Sequence, residues 1–400
     1  MNPDLSRLQP YPFERLNKLK QGLSPSTEEP AISLSIGEPK HPAPDFVARV
    51  LNEHRQGLAL YPLTRGLGEL RQCIAQWLSR RFSLEQGLVD AEQHILPVNG
   101  TREALFAFAQ CIVNRQQSPL VMMPNPFYQI YEGAALLSGA QPWFMNCTRE
   151  TDFKPDFNLP PDAWQRCELI YICSPGNPTG AVLTLDELQQ LIKLADQYDF
   201  IIASDECYSE IYPDELNPPP GLLQAAALMG RHDFKRCVVF HSLSKRSNLP
   251  GLRSGFVAGD AEVIEQFRLY RTYHGCAMPE PVQHASIAAW SDEEHVVHNR
   301  FLYQEKFRQV HAILAPVIEL EMPEAGFYFW LETPVSDEQF FTDLYTTYNL
   351  TVLPGSYLSR EANGINPGQN HVRIALVPEL EQCLQAGKRI HDCLAGYAAV

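Results

Sequence analysis

The chain has 400 residues, 45% hydrophobic and 20% charged, enough for a large core and by length for more than one domain. A net charge of −15 argues against nucleic acid or an anionic membrane as main partner, and 23 Gly and 32 Pro are too few and too scattered for a fibrous or low-complexity chain. No apolar run is long enough to span a membrane, and the polar, proline-punctuated start lacks a signal-peptide core. The ten cysteines form no CxxC and suit reduced thiols in a cytoplasmic protein, and the twelve histidines show no metal-ligand spacing.

In chain order, the proline-rich arm before about residue 45 builds little core and is expected to wrap over the rest of the protein or over a partner subunit. From about 90 to 260, short apolar runs alternate with helical stretches, the pattern of a parallel sheet wrapped by helices. Strands are predicted at 95–98, 120–123, 169–173, 200–204, 238–241 and 256–258. Helices are predicted at 101–114 and 184–198, the second opening on a capping box of Thr184 and Glu187. Beyond 280 one long amphipathic stretch covers 282–314. An alternating run at 326–331, a helix and strands near 351–353 and 372–376 then suggest a smaller α+β domain. The predicted division is a large domain over 45–285 and a small one over 1–44 and 286–400.

The chemistry collects at the strand exits, where an α/β fold places it. Lys245 follows an apolar strand in His241-Ser-Leu-Ser-Lys-Arg, with Arg253 eight residues on. A lysine in a partly desolvated pocket can form a Schiff base, and Ser242, Ser244 and Arg253 are suited to a phosphate, a solvated basic loop being the alternative. Asp205 ends the strand 200–204, with Tyr208 three residues later; a buried acid there needs a cation, such as a protonated pyridine nitrogen. Asn177 is presented in the turn Ser174-Pro-Gly-Asn-Pro-Thr-Gly180. Gly100 and Thr101 fall at the start of the helix 101–114, where backbone N–H groups favour a dianion or merely form an ordinary cap. Arg373, inside an apolar strand, calls for a carboxylate partner.

Three segments in this order, SPGNPTG at 174–180, Asp205-x-x-Tyr208 and Ser-x-Ser-Lys-x7-Arg-x-Gly at 242–255, resemble the fold-type I, class I/II aminotransferases that use pyridoxal 5′-phosphate (PLP). The resemblance runs from about Gly37 to Arg373. It implies an α/β fold with a mostly parallel seven-stranded sheet between helices and a smaller α+β domain. It also implies that Lys245 holds the cofactor and shuttles a proton between substrate Cα and C4′, that Asp205 pairs with the ring nitrogen, and that Asn177 and Tyr208 bond the ring's 3-oxygen. Gly100, Thr101, Ser242 and Arg253 would cradle the phosphate, and Tyr128, with Phe127 as competitor, would stack on the ring. Arg373 and Gly37 would take the substrate carboxylate, with Asn177 beside them. Tyr61, in Tyr-Pro-x-x-x-Gly, would reach the phosphate of the neighbouring subunit in a homodimer.

Residues 241–260 and 273–277 are most similar to bacterial N-succinyldiaminopimelate aminotransferases. That likeness implies exchange between glutamate/2-oxoglutarate and N-succinyl-LL-2,6-diaminopimelate in lysine biosynthesis, without metal, nucleic acid or membrane. Aspartate, aromatic and LL-diaminopimelate aminotransferases and a PLP-dependent C–S lyase are the alternatives. No second arginine for a distal carboxylate stands out, Arg65, Arg102 and Arg271 being candidates.

Overall fold

A computed structural model describes residues 1–398. Seven strands form the central sheet: β1 (Ile95–Val98), β2 (Leu120–Asn125), β3 (Gln141–Asn146), β4 (Cys167–Cys173), β5 (Ile201–Asp205), β6 (Cys237–Ser242) and β7 (Gly255–Gly259). Their order is β1-β7-β6-β5-β4-β2-β3, and β7 alone runs antiparallel to its neighbours. The mostly parallel α/β sheet expected from the sequence is therefore present.

Both faces of this sheet are dry, which is why its strands read as unbroken apolar runs. Along β4, Leu169 and Tyr171 pack into the core on one face, while Ile170 and Ile172 pack into the core on the other. The strand that sequence reading missed is β3: its side chains are mostly half-exposed on the sheet edge, so Gln141-Pro-Trp-Phe-Met-Asn146 carries no clean apolar signal.

A second sheet pairs β8 (Tyr328–Glu332), β9 (Leu353–Pro354) and β10 (His371–Ala375) in the antiparallel order β9-β10-β8. Its own core gathers Phe307, Val310, Phe329, Phe340, Val372 and Ile390. The N-terminal arm joins this smaller unit: Leu16 packs into it, and Ile32–Ser33 pairs in parallel with Leu350–Thr351. Tyr208 and Ile211, just past β5, also enter that core and tie the two parts together below the site.

The amphipathic stretch 282–314 is two helices, Glu280–Ser291 and Glu294–Leu314. Asp292 is extended (φ −103°, ψ 126°) and turns its carboxylate to the His295 N–H at 3.1 Å, so it ends one helix and caps the next. The expected domain boundary at 285 lies inside the first of these helices, whose Ala285, Ala289 and Trp290 pack with the large core. The helix predicted at 101–114 spans Thr101–Ile112.

The capping box on the helix Leu185–Tyr198 is formed as expected: Thr184 Oγ1 accepts from the Glu187 N–H at 3.2 Å, and Glu187 Oε2 accepts from the Thr184 N–H at 2.7 Å. Removing the hydroxyl leaves that first-turn N–H to water. Thr184→Ala is expected to lower unfolding free energy by about 1 kcal/mol in urea titrations; an unchanged midpoint would show that the box contributes nothing.

Candidate active site

The parallel strands deliver their C-terminal ends to one edge of the sheet, and a cavity of about 400 Å³ opens there, between the two parts of the fold. Asn177, Asp205, Tyr208, Ser242, Lys245, Arg253 and Arg373 all line it, with Gly37, Thr101 and Tyr128. Residues far apart in sequence thus face one volume.

Asp205 closes β5 and is buried. Its Oδ2 accepts from the Tyr131 hydroxyl at 2.7 Å and its Oδ1 from the Cys207 N–H at 3.3 Å; no cation pairs with it among the described residues. Burial pushes its pKa up, and these donors pull in the other direction. A carboxylate with two neutral donors and spare lone pairs in the cavity wall is poised for a protonated ring nitrogen.

Lys245 lies in the short turn of helix Leu243–Arg246 that follows β6. Its Nζ donates to the Gly37 carbonyl, and desolvation lowers its pKa from 10.5 to about 8. Gly37 is obligatory for this approach, since a Cβ there would stand 1.9 Å from the Tyr328 hydroxyl. That hydroxyl shares a hydrogen bond of 2.9 Å with the Tyr208 hydroxyl.

Arg373 reaches the cavity from β10. Its Nη1 donates to Asn177 Oδ1 at 2.9 Å and its Nη2 to the Ser35 carbonyl at 2.7 Å, while the guanidinium lies 4.5 Å from the centre of the Tyr328 ring. Among the described residues no carboxylate pairs with this arginine, and its buried Nε has no partner. An incoming carboxylate would meet that need.

At the opposite end, the helix Thr101–Ile112 begins at Gly100 (φ +90°) with no side chain capping it. A Cβ at position 100 would fall 2.1 Å from Arg253 Nη2, so only glycine lets the arginine lie across this helix start. Arg253 donates to the Pro250 carbonyl at 2.9 Å and to Glu103 at 2.6 Å, and the Ser242 and Ser244 hydroxyls are bonded to each other at 2.9 Å. Free first-turn N–H groups, an arginine and two hydroxyls make a cup for a dianion.

Tyr128 stands in the cavity wall, its hydroxyl accepting from Arg102 Nε at 2.8 Å, whereas Phe127 is buried against Phe144. Arg102 also donates to the Tyr11 hydroxyl at 2.9 Å, which brings the N-terminal arm to the cavity mouth. Tyr61 is not brought into the cavity: it is fully exposed, along with Leu58, Leu60 and Leu63. Asn99 turns to Arg271 at 3.3 Å. Sequence reading missed Tyr131, Tyr328, Tyr11 and Glu38, which all touch the site or its acid. Only Tyr131 carried a signal, lying one helical turn beyond Tyr128.

A desolvated lysine, a buried acid without a cation, a helix-start cup and an unpaired arginine on one α/β sheet edge fit a lysine-held, phosphate-bearing aromatic cofactor and a carboxylate substrate. Residues 29–390 match the family Aminotransferase class I and II, and the chain belongs to that family, whose cofactor is PLP. Among solved structures, it is similar to an aminotransferase of Neisseria meningitidis Z2491 (50% identity, TM-score 0.94, covering 99% of this chain and 100% of that one). It is also similar to aminotransferase AspB of Helicobacter pylori 26695 (37% identity, TM-score 0.89, 96% and 98%). Among curated proteins, the LL-diaminopimelate aminotransferase of Syntrophobacter fumaroxidans is 30% identical over 394 residues, 96% of this chain and 97% of that protein.

The lowered pKa of Lys245 has two measurable consequences. Cofactor-free protein is expected to be labelled at Lys245 by an amine reagent with a midpoint near pH 8, well below an ordinary lysine. Between pH 8 and 10.5 the unfolded chain holds a proton here that the folded chain has released, so stability rises with pH across that window. Lys245→Met should therefore raise the melting temperature most below pH 8 and progressively less towards 10.5. A labelling midpoint near 10.5 would contradict the burial argument.

Proposed function

We propose that this aminotransferase moves an amino group between glutamate/2-oxoglutarate and a diaminopimelate-type amino acid, in two half-reactions with ping-pong kinetics. The observation that carries the reading is the meeting of Lys245, Asp205 and Arg373 in one cavity. When bound, PLP supplies an electron sink for the charge that develops at the substrate Cα.

The residues then divide the work. Lys245 would hold the cofactor and, when freed, would carry the proton between substrate Cα and the cofactor's C4′; its lowered pKa keeps a usable fraction of the amine neutral near physiological pH. Asp205 would keep the ring nitrogen protonated, with the Tyr131 hydroxyl holding its carboxylate in place. Asn177 and Tyr208 would bond the 3-oxygen, Tyr128 would lie against the ring, and Thr101, Ser242 and Arg253 with the Gly100 helix start would hold the phosphate. Arg373 would receive the α-carboxylate beside Gly37, its guanidinium having no carboxylate partner among the described residues.

The far end of the substrate meets Arg102, whose Nε and Nη2 are committed to Tyr128 and Tyr11 while Nη1 remains for a second carboxylate. A substrate with carboxylates at both ends would use both Arg102 and Arg373 of the cavity wall. The motif resemblance favours N-succinyl-LL-2,6-diaminopimelate; the name of the curated relative favours the free LL form, and Glu38 in the cavity wall would suit its distal ammonium. A second copy of the chain would cover Leu58, Leu60 and Leu63 and carry Tyr61 to the phosphate site across the interface, in a cytoplasmic homodimer.

Glutamate, LL-diaminopimelate and the N-succinyl form, added separately in single turnovers, test this reading. Glutamate and one of the two diaminopimelates should each discharge the cofactor's absorbance, and Lys245→Ala should abolish the change with the fold retained. Discharge by glutamate alone would remove the diaminopimelate substrate; turnover by Lys245→Ala would remove Lys245 from the mechanism.

A further inference from the structure

Outside the cavity, the helix Glu294–Leu314 buries a lysine: Lys306 is 2% exposed. Its Nζ meets His41 Nε2 at 2.6 Å and the Val377 carbonyl at 3.3 Å rather than a carboxylate. Glu379 and Cys383 act on it through space only. Burial lowers its pKa, since a charge held by a histidine and a carbonyl without a paired carboxylate is costly.

The bonds continue in one direction. His41 is buried with its ring centre 4.5 Å from that of Tyr303, and its Nδ1 lies 2.7 Å from Asn299 Oδ1. Asn299, buried two turns before Lys306 on the same helix, places its Nδ2 3.4 Å from the Lys245 carbonyl. Asn248 Nδ2 donates to Asn299 Oδ1 at 3.1 Å, so the same carboxamide grips both ends of the 245–248 turn.

Donor chemistry sets the sense of this string. An ammonium only donates, so His41 Nε2 accepts and the ring proton sits on Nδ1. That proton goes to Asn299 Oδ1, which turns Nδ2 towards the Lys245 carbonyl. Burial and the neighbouring Lys306 lower the His41 pKa, which keeps the ring neutral and leaves Nε2 its lone pair. A lysine that had lost its proton would still have two N–H groups, enough for Val377 and His41 together. Without a donor at 306, the His41 proton is free to move to Nε2. The Asn299 amide would then reverse and present oxygen to the Lys245 carbonyl oxygen.

We propose that Lys306, His41 and Asn299 are positioning residues that hold the backbone of the Lys245 turn, with Lys306 fixing the direction of the string. The proposal rests on Lys245 as the cofactor-bearing amine and adds residues that lie behind the cavity.

His41→Gln and His41→Leu test it without changing charge: glutamine keeps one acceptor and one donor, leucine neither. His41→Leu is expected to lower kcat of the glutamate half-reaction about tenfold with KM little changed. It should also displace the pH midpoint for labelling Lys245 in the cofactor-free full chain, and His41→Gln should return both towards the parent values. Equal midpoints and equal kcat in the two variants, with only the melting temperature altered, would reduce the string to packing and overturn the proposal. If His41→Leu does not fold, Lys306→Met is compared with Lys306→Gln, which removes the amine equally but keeps a donor for His41. Turnover by Lys245→Ala would sink the reading of Lys245 itself, while the labelling midpoints would still report on the string.

Discussion

The structure turns on one buried carboxylate. Asp205 sits at the end of β5 with the Tyr131 hydroxyl and a backbone N–H as its donors and no cation beside it among the described residues. Left so, an ionised acid in a dry wall is unfavourable, and its raised pKa expresses that cost. A protonated ring nitrogen beside it would offset that cost and would favour the protonation state in which the cofactor is an electron sink, which is the role proposed for Asp205. Tyr131, stacked on Tyr171 with ring centres 4.7 Å apart, belongs to the core beneath the sheet. The packing of the large domain thereby fixes where the charge stands.

The same logic of unmet need runs through the rest of the cavity. Arg373 is held in plane by Asn177, the Ser35 carbonyl and the Tyr328 ring, with no carboxylate to balance its charge among the described residues. Lys245 is held close to neutrality by burial, against a carbonyl supplied by the arm. Because Asp205 and Lys245 belong to the large sheet while Arg373 and Tyr328 belong to the small one, a correct site requires the two parts to be docked. Tyr208 and Ile211, rooted in the small core although they follow β5, provide that docking.

Much of this was legible in the sequence. The buried parallel strands announced themselves as apolar runs, and the residues at their ends, Asn177, Asp205, Ser242 and Lys245, share the cavity because a parallel sheet sends those ends one way. The edge strand β3 was not legible, since most of its side chains are half-exposed on both faces and leave no apolar alternation. Nor was the break at Asp292, where helical periodicity continues across a polar hinge. Tyr328 and the His41–Asn299 string depend on contacts between segments hundreds of residues apart, which local pattern does not encode. Tyr61 lies on an exposed face away from the cavity, and one chain by itself shows no role for it.

Asp205 is proposed to keep the cofactor's ring nitrogen protonated. The 15N chemical shift of that nitrogen reads this out, in labelled cofactor bound to the parent protein and to Asp205→Asn. A protonated nitrogen is expected in the parent, a neutral one in the variant, and a glutamate half-reaction slowed by about hundredfold or more. A nitrogen equally protonated in both proteins, with the half-reaction unchanged, would contradict it.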